Sequence, residues 1–246
     1  ETRKNSISYR SNMARLAEVL IDEGKNEKAK FIIDLAIEKM PLNYFGYYSL
    51  IAPFIDLYYR LEETENARKL FNQVSFKYID QLDYFNSLEL NFQYNLGEEI
   101  LTEIERYRAL VETVLDNRDK EFLSQSILEF QKATSPFIFL YGKYEYYTIL
   151  DDFVEGLYLS GDNKEARKLV AKISAEYDKR FKILSDLSEE NQEYLIDRIK
   201  EEMDNYKRLL LFVSIYENQD YIKKIEEQLY KAISGLNDVE SLLLEN

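Results

Sequence analysis

The sequence of 246 residues contains no cysteine and no histidine. Their absence excludes thiolate nucleophiles, imidazole acid–base catalysis and zinc sites built on sulfur or nitrogen ligands. It also excludes disulfide bonds, but it does not identify the compartment, because a chain without disulfides suits the cytosol and the periplasm equally. Carboxylates remain as the candidates for acid–base chemistry.

Glycine and proline are scarce, with 7 Gly and 3 Pro. An all-β domain would need turn residues roughly every ten positions, so helix is the expected structure. Apolar runs are short as well: near the end of the chain the longest is Leu209–Val213, whereas a membrane span needs about 18 residues. No signal-peptide pattern opens the sequence, and we expect the chain as given to be soluble.

Acidic residues outnumber basic ones, with 46 Asp and Glu against 32 Lys and Arg and a formal net charge of −14. Such a field repels a phosphate backbone, so we expect no nucleic-acid partner. A cationic peptide is compatible with it, and the acidity also has the simpler interpretation that it keeps the protein in solution. The 46% hydrophobic content predicts a folded chain.

Two apolar stripes of helical spacing occupy the stretch from Met13 to Pro41. Gly24 separates them, and a glycine can take the left-handed conformation that ends a helix. The pattern predicts an antiparallel pair of helices that ends at Pro41 and packs closely through small residues. The residues predicted to face the partner helix are Met13, Leu16, Ala17 and Leu20 in the first helix, and Ala29, Ile33 and Ala36 in the second.

The same pattern returns in two other places, aligned on Ala67 and on Ala166. Its spacing resembles the tetratricopeptide repeat, in which stacked helix pairs cover one another's apolar faces. We therefore predict an all-α fold: a tetratricopeptide-like helical hairpin array, or α-solenoid, forming a single domain over 1–246. The predicted segments are hairpins at 10–41, 47–80 and 146–180, inserted helices at 81–145, and C-terminal helices at 186–246, the last of these ending near Gly235.

A further resemblance lies in "SNMARLAEVLIDEGKNEKAKFIIDLAIEKMP", in the later pairs Tyr44–Phe45 and Tyr58–Tyr59, and in "LDYFNSL". Over residues 8–175 the chain resembles the soluble tail of a bacterial multi-spanning membrane-protein family, formerly a domain of unknown function and similar to protein O-mannosyltransferases. The resemblance implies a domain on the periplasmic side of the inner membrane, with the parent membrane segment as a partner in cis. No catalytic residue of the family maps onto this chain.

The tetratricopeptide resemblance also implies a concave surface lined by the first helix of each pair. Carried onto this sequence, the surface is acidic and interleaved with tyrosine, which suits a basic, extended protein or peptide partner. The second and third hairpins begin almost a hundred residues apart, with inserted helices between them, which argues against one continuous groove. The residues predicted to bind are Glu18, Asp22, Asp56, Tyr59, Arg60, Asp151, Glu155 and Tyr158.

Two acidic clusters carry an alternative interpretation: Asp151, Asp152 and Glu155, and the Glu98, Glu99 and Glu103 set. Carboxylates at i and i+4 share a helix face, where they could hold a hard cation or act as a pair in glycoside hydrolysis. The simpler interpretation is a solvated helix face, with Glu98 and Glu99 at the positive end of a helix that starts near Leu96. We predict no catalytic residue, no metal site and no cofactor.

The combined prediction is a non-catalytic interaction or positioning domain, the periplasmic tail of a glycosyltransferase-like membrane protein. The alternatives are a carboxylate-dependent hydrolase, metal-assisted or acting on glycosides, and a purely structural or dimerising helical domain. At the N-terminus, Arg3, Lys4 and Arg10 are expected to be solvated, or to lie near lipid headgroups if a membrane span precedes them.

Overall fold

The computed structural model describes residues 2–234 and 236, without the side chains of Thr2 and Arg3, and within this part of the chain it contains helices and no strand. The all-α prediction is therefore confirmed, whereas the solenoid arrangement stays a prediction. The predictions for the Arg3 side chain, for Gly235 and for 237–246 lie outside the described residues. The chain divides into two compact units, Glu1–Leu140 (unit 1) and Tyr141–Asn246 (unit 2).

Unit 1 is built from nine α-helices and two short 3₁₀ turns, Tyr48–Leu50 and Ser135–Phe137, among its described residues. The α-helices are α1 Thr2–Asp22, α2 Asn26–Lys39, α3 Leu42–Phe45, α4 Ala52–Arg60, α5 Thr64–Ser87, α6 Leu90–Asn95, α7 Gly97–Asp116, α8 Lys120–Thr134 and α9 Ile138–Tyr141, whose last residue is the first of unit 2. The pairs α1–α2, α4–α5 and α7–α8 each pack together, and α4 contacts both α1 and α7.

Unit 2 contains α10 Lys143–Thr148, α11 Asp152–Leu159, α12 Asn163–Ser185, α13 Glu189–Tyr194, α14 Ile196–Val213 and α15 Gln219–Ile233. Helix α12 packs against α10, α11, α14 and α15, so its apolar face forms the centre of the unit. The late helices α14 and α15 each bury apolar residues, among them Met203, Tyr206, Ile225 and Leu229. Burial of these faces stabilises the unit through the hydrophobic effect.

The three residues on which the repeat was aligned lie in matching environments. Ala29, Ala67 and Ala166 have no exposed surface, and each lies in the second helix of a pair. Because a methyl side chain lets the two helix backbones approach, alanine at this position permits close pairing. At all three places the helix that carries the alanine packs against the helix before it.

A left-handed residue precedes each of these second helices by the same distance along the chain. Gly24 has φ 71° and Gly161 has φ 83°, five positions before Ala29 and Ala166. In unit 1 the same conformation is taken by Glu62, with φ 61°, and by Arg118, with φ 51°. Arg118 lies in the turn between α7 and α8, so this pair turns in the same way as the hairpins predicted from the sequence.

The correspondence between the units extends beyond the predicted hairpins. Helix α6 begins at 90 and α13 at 189, while α8 covers 120–134 and α15 covers 219–233, a constant difference of 99 positions. Buried aromatic pairs follow the same difference: the rings of Tyr78 and Tyr107 stack in unit 1, and those of Tyr177 and Tyr206 stack in unit 2. Each unit thus contains one copy of a longer motif, and helices of the predicted 81–145 insertion belong to the first copy.

Two predictions for α1 are wrong. Leu16 is 47% exposed, because the face of α1 turned to the core is Ser6, Arg10, Ala14 and Ala17. Arg10, expected in solvent or at lipid, is 1% exposed and donates from its guanidinium to the carbonyl oxygens of Met40 at 2.7 Å and Gly46 at 2.5 Å. Those carbonyls lie where α2 and α3 end. The last carbonyls of a helix have no N–H partner within the helix, so Arg10 supplies the missing donors.

Candidate functional site

The predicted groove residues of unit 1 lie together, but most of their polar atoms are used within the chain. The Arg60 guanidinium on α4 donates to Asp22 on α1 at 2.6 Å and approaches Glu18 to 3.7 Å. One turn earlier on α4, Asp56 accepts from the Asn117 side-chain amide at 2.9 Å. This face therefore ties α1, α4 and the end of α7 together, and it offers few free carboxylates to a basic peptide.

Tyr59 takes part in an ion pair that the sequence did not predict. Its hydroxyl donates to Asp119 at 2.9 Å, and Arg68 donates to both oxygens of the same carboxylate at 2.7 and 2.5 Å. The Asp119 side chain is 5% exposed. Burial alone would raise the pKa of Asp119, but the bonds from Arg68 and Tyr59 outweigh burial and hold the pKa below its usual value.

Unit 2 repeats this arrangement around Glu217. The buried Tyr158 hydroxyl donates to Glu217 at 3.0 Å, and Arg167 donates to its two oxygens at 2.6 and 2.9 Å. Bonding to Arg167 lowers the pKa of Glu217. Tyr158 is therefore part of the interior and not of an open groove, because its hydroxyl and its ring, stacked on Tyr216, are both engaged.

Sequence reasoning missed Arg68, Asp119, Arg167 and Glu217, although a partial signal was present. An arginine follows two of the three alignment alanines, Ala67 and Ala166, at Arg68 and Arg167. The acids are harder to find because they are not at equivalent positions: 217 lies 98 residues after 119, whereas the arginines lie 99 apart. The longer glutamate side chain accommodates this difference of one position.

The predicted acids of unit 2 share a cleft. Asp151, Asp152 and Glu155 line a space of about 270 Å³ together with Asn205 and Arg208 of α14. An adjoining space of about 480 Å³ shares Asp151, Asp152 and Arg208 and extends towards Tyr144 and Tyr177. Asp151 and Glu155 are half-buried and Asp152 is exposed, so the cleft is open to a polar ligand.

Asp151 is the carboxylate of this cleft that the surroundings perturb most clearly. Its side chain accepts a hydrogen bond from the Asp152 backbone amide at 2.9 Å, at the start of α11. Burial raises its pKa to about 6, and the negative charge of Asp152 adds to the increase, while Arg208 opposes it. An ionised Asp151 thus lacks a sufficient cationic partner.

The other predicted acidic cluster does not have this character. Glu103 is buried and bonded to Arg106 at 2.5 Å. Glu98 and Glu99 are exposed in the first turn of α7, which begins at Gly97, next to the predicted start near Leu96. Within the described residues no group of three or more acids is arranged to hold a metal ion.

Unit 1 has a cleft of opposite charge that the sequence did not predict. Its volume is about 910 Å³, and Arg68, Lys69, Lys77 and the exposed ring of Phe76 lie along its α5 side. Residues 41–43, between α2 and α3, contribute to the other side. The available signal in the sequence was the spacing of Lys69, Gln73 and Lys77, which lie four positions apart and so share one side of α5.

Comparisons of the chain with protein-family models, with curated proteins and with solved structures find no match. Among the described helices, none combines the length and the apolar composition needed to cross a membrane.

Proposed function

We propose that this chain is a non-catalytic protein-interaction and positioning domain, and that the cleft of unit 2 binds a cationic group of a protein or peptide partner. The observation that carries the proposal is the shared cleft of Asp151, Asp152 and Glu155. A lysine or arginine side chain placed there would compensate the repulsion between the carboxylates. Asn205 offers a further polar contact to the same group.

The raised pKa of Asp151 supports this proposal and gives it a pH dependence. With a pKa of about 6, Asp151 is partly protonated in mildly acidic solution. A bound cation favours the ionised form, so binding releases a proton below pH 6 and the affinity increases as the pH rises from 5 to 7. A surface interaction with unperturbed carboxylates would change little over this range.

The experiment uses a fluorescein-labelled peptide of alternating lysine and alanine, with its affinity for the full chain measured by fluorescence anisotropy. We expect the double variant Asp151→Asn/Glu155→Gln to bind about tenfold more weakly. The matched control is Glu98→Gln/Glu99→Gln, which removes the same charge from exposed positions and should change the affinity by less than about twofold. Equal losses in the two variants would indicate non-specific attraction and overturn the proposal.

We further propose that the domain is the periplasmic tail of a glycosyltransferase-like integral membrane protein and holds an acceptor or a partner subunit near the membrane segment. Tethering of this kind raises the effective concentration of the bound protein. The support is the resemblance over residues 8–175. The test is the natural reading frame upstream of Glu1: without a series of apolar spans there, the location and the association with a transferase would be wrong, whereas the binding proposal would stand.

A carboxylate-dependent hydrolase is the second candidate, favoured by Asp151 with its raised pKa beside a second acid in one cleft. A protonated Asp151 would serve as the general acid and an ionised neighbour as base or nucleophile. This candidate predicts turnover of chromogenic glycosides that is lost in Asp151→Asn. Absence of turnover by the wild type over pH 4–8 would eliminate glycoside hydrolysis.

A further inference from the structure

Helix α6 presents large apolar side chains to solvent. Leu90, Phe92 and Tyr94 are exposed by 56%, 56% and 57%, although Tyr94 keeps a ring contact with Phe139. Leu90 and Tyr94, four positions apart, lie on the same side of the helix, and Phe92 lies on the opposite side. Three such residues on one short helix exceed the scattered apolar exposure of an ordinary surface. We call Leu90, Phe92 and Tyr94 the α6 surface.

The second copy of the motif shows that the fold does not require these residues. In α13 the equivalent positions are Glu189, Asn191 and Glu193. Both helices are held by the same contact: the Gln93 amide donates to the carbonyl oxygen of Leu88 at 2.8 Å, and the Gln192 amide donates to that of Leu187 at 3.1 Å. Since the same turn forms with polar residues, the turn itself does not require the apolar side chains of α6.

The chain segment that contains α6 carries charge of one sign. No lysine or arginine occurs between Lys77 and Arg106. The same stretch carries five exposed carboxylates, namely Asp80, Asp83, Glu89, Glu98 and Glu99. A partner must therefore bring apolar groups together with positive charge.

We propose that the α6 surface is a docking site for a cationic amphipathic segment of a partner protein. The apolar residues of that segment cover Leu90, Phe92 and Tyr94, and its lysines or arginines face the surrounding acids. A second copy of this chain fits less well, because two acidic rims would meet, and the same repulsion disfavours an anionic membrane. The site lies in unit 1, apart from the carboxylate cleft of unit 2.

The test exchanges the α6 surface for the residues of its counterpart. The variant Leu90→Glu/Phe92→Asn/Tyr94→Glu should fold, since α13 carries these residues, and circular dichroism with a thermal melt verifies that it does. The probe is a fluorescein-labelled helical peptide of leucine and lysine, and its affinity is measured by anisotropy at about 150 mM salt. We expect the triple variant to bind the peptide at least about tenfold more weakly than the wild type does.

The matched control is Asn91→Glu/Asn95→Glu, which adds the same two negative charges to exposed positions of α6 and keeps the apolar residues. It should bind the peptide at least as tightly as the wild type. If attraction to an acidic chain were the whole cause, the triple variant would bind more tightly, which would overturn the proposal.

Two other outcomes would also overturn it. One is sedimentation showing that the wild type self-associates and the triple variant does not, which assigns the surface to a second copy. The other is binding of the wild type, and not of the variant, to phosphatidylglycerol vesicles. Loss of affinity in Asp151→Asn/Glu155→Gln leaves this proposal intact, because that site is in the other unit.

Discussion

Glu217 and Asp151 are carboxylates of the same unit, and their neighbours shift their pKa values in opposite directions. Glu217 accepts two bonds from Arg167 and one from Tyr158. Asp151 accepts a backbone amide bond but has Asp152 beside it. The first environment favours the ionised form and the second disfavours it, so one acid contributes to the fold and the other is available to a ligand.

Replacing Glu217 by glutamine tests the first of these environments. We expect Glu217→Gln to lower the free energy of unfolding by about 2 kcal/mol at pH 7, because charge-assisted bonds to Arg167 are lost. Since the folded-state pKa lies below the ordinary value of 4.5, the contribution is complete above that value and is lost as the pH falls through the folded-state pKa.

Urea unfolding at pH 7 and near pH 3 measures both effects, and the difference between wild type and Glu217→Gln should narrow at the lower pH. The control is Glu226→Gln, an exposed acid on α15, with an expected change within about 0.5 kcal/mol. A difference that stays constant with pH would contradict the ion-pair interpretation.

Asp151 should behave in the opposite way. Its folded-state pKa of about 6 is raised, so the ionised form destabilises the fold at pH 7 and this effect disappears as the pH falls below both pKa values, near 4. We expect Asp151→Asn, whose side-chain oxygen can still accept from the Asp152 amide, to be about 2 kcal/mol more stable at pH 7 and equal to the wild type near pH 4. Midpoints of urea unfolding measured between pH 4 and 7 test this expectation. If Asp151→Asn were less stable than the wild type at pH 7, the raised pKa of Asp151 would be contradicted.

At the scale of elements, the 99-residue correspondence makes the two units controls for each other. Gln93 and Gln192 each bond two backbone carbonyls at the end of a long helix. We expect Gln93→Ala and Gln192→Ala each to lower the free energy of unfolding by about 1–2 kcal/mol, because carbonyls at the helix end lose a donor. Chemical unfolding measures this, with the exposed Gln125→Ala as the near-neutral control; a loss in only one unit would show that the turns are not equivalent.

The hairpin turns allow a similar exchange. Glu62 has a left-handed backbone where the equivalent residue of unit 2, Gly161, is glycine. We expect Glu62→Gly to raise the free energy of unfolding by about 0.5–1 kcal/mol, since glycine has no Cβ to disfavour this conformation, and Gly161→Ala to lower it by a similar amount. Thermal melts of both variants test this pair, and a destabilised Glu62→Gly would mean that the side chain contributes more than the strain removes.

Element by element, the sequence was most informative where one pattern repeated closely. Alanine at 29, 67 and 166 identified three hairpins, whereas the α7–α8 pair has Leu123 at the equivalent place and was taken for an insertion. The short helices α6 and α13 share few residues, so their equivalence became visible only through their bounds in the structure and the contacts of Gln93 and Gln192. The two helices thus differ in sequence but form the same hydrogen bond to the backbone before them.

At the scale of the whole molecule, the division after Leu140 predicts that residues 1–140 fold alone. This unit has its own buried core, including Phe54, Phe71, Ile104 and Phe130, and its length is ordinary for an independent domain. We expect the fragment to be helical by circular dichroism and to melt cooperatively, and Phe71→Ala to destabilise it by about 3–5 kcal/mol. A broad transition without cooperativity would show that this unit depends on the remainder of the chain.

The sequence by itself determined that the chain is helical and where three of its hairpins turn, because these depend on neighbours three or four positions away. Only the tertiary structure decided the roles of the polar residues. Tyr59 and Tyr158 were predicted to line a groove, but each bonds to a carboxylate about sixty positions further along the chain. Which residues so far apart along the chain bind each other depends on how the helices pack, and this packing cannot be predicted from a local sequence pattern. For the same reason the sequence identified the acids of unit 2, whereas the structure showed that they share a cleft.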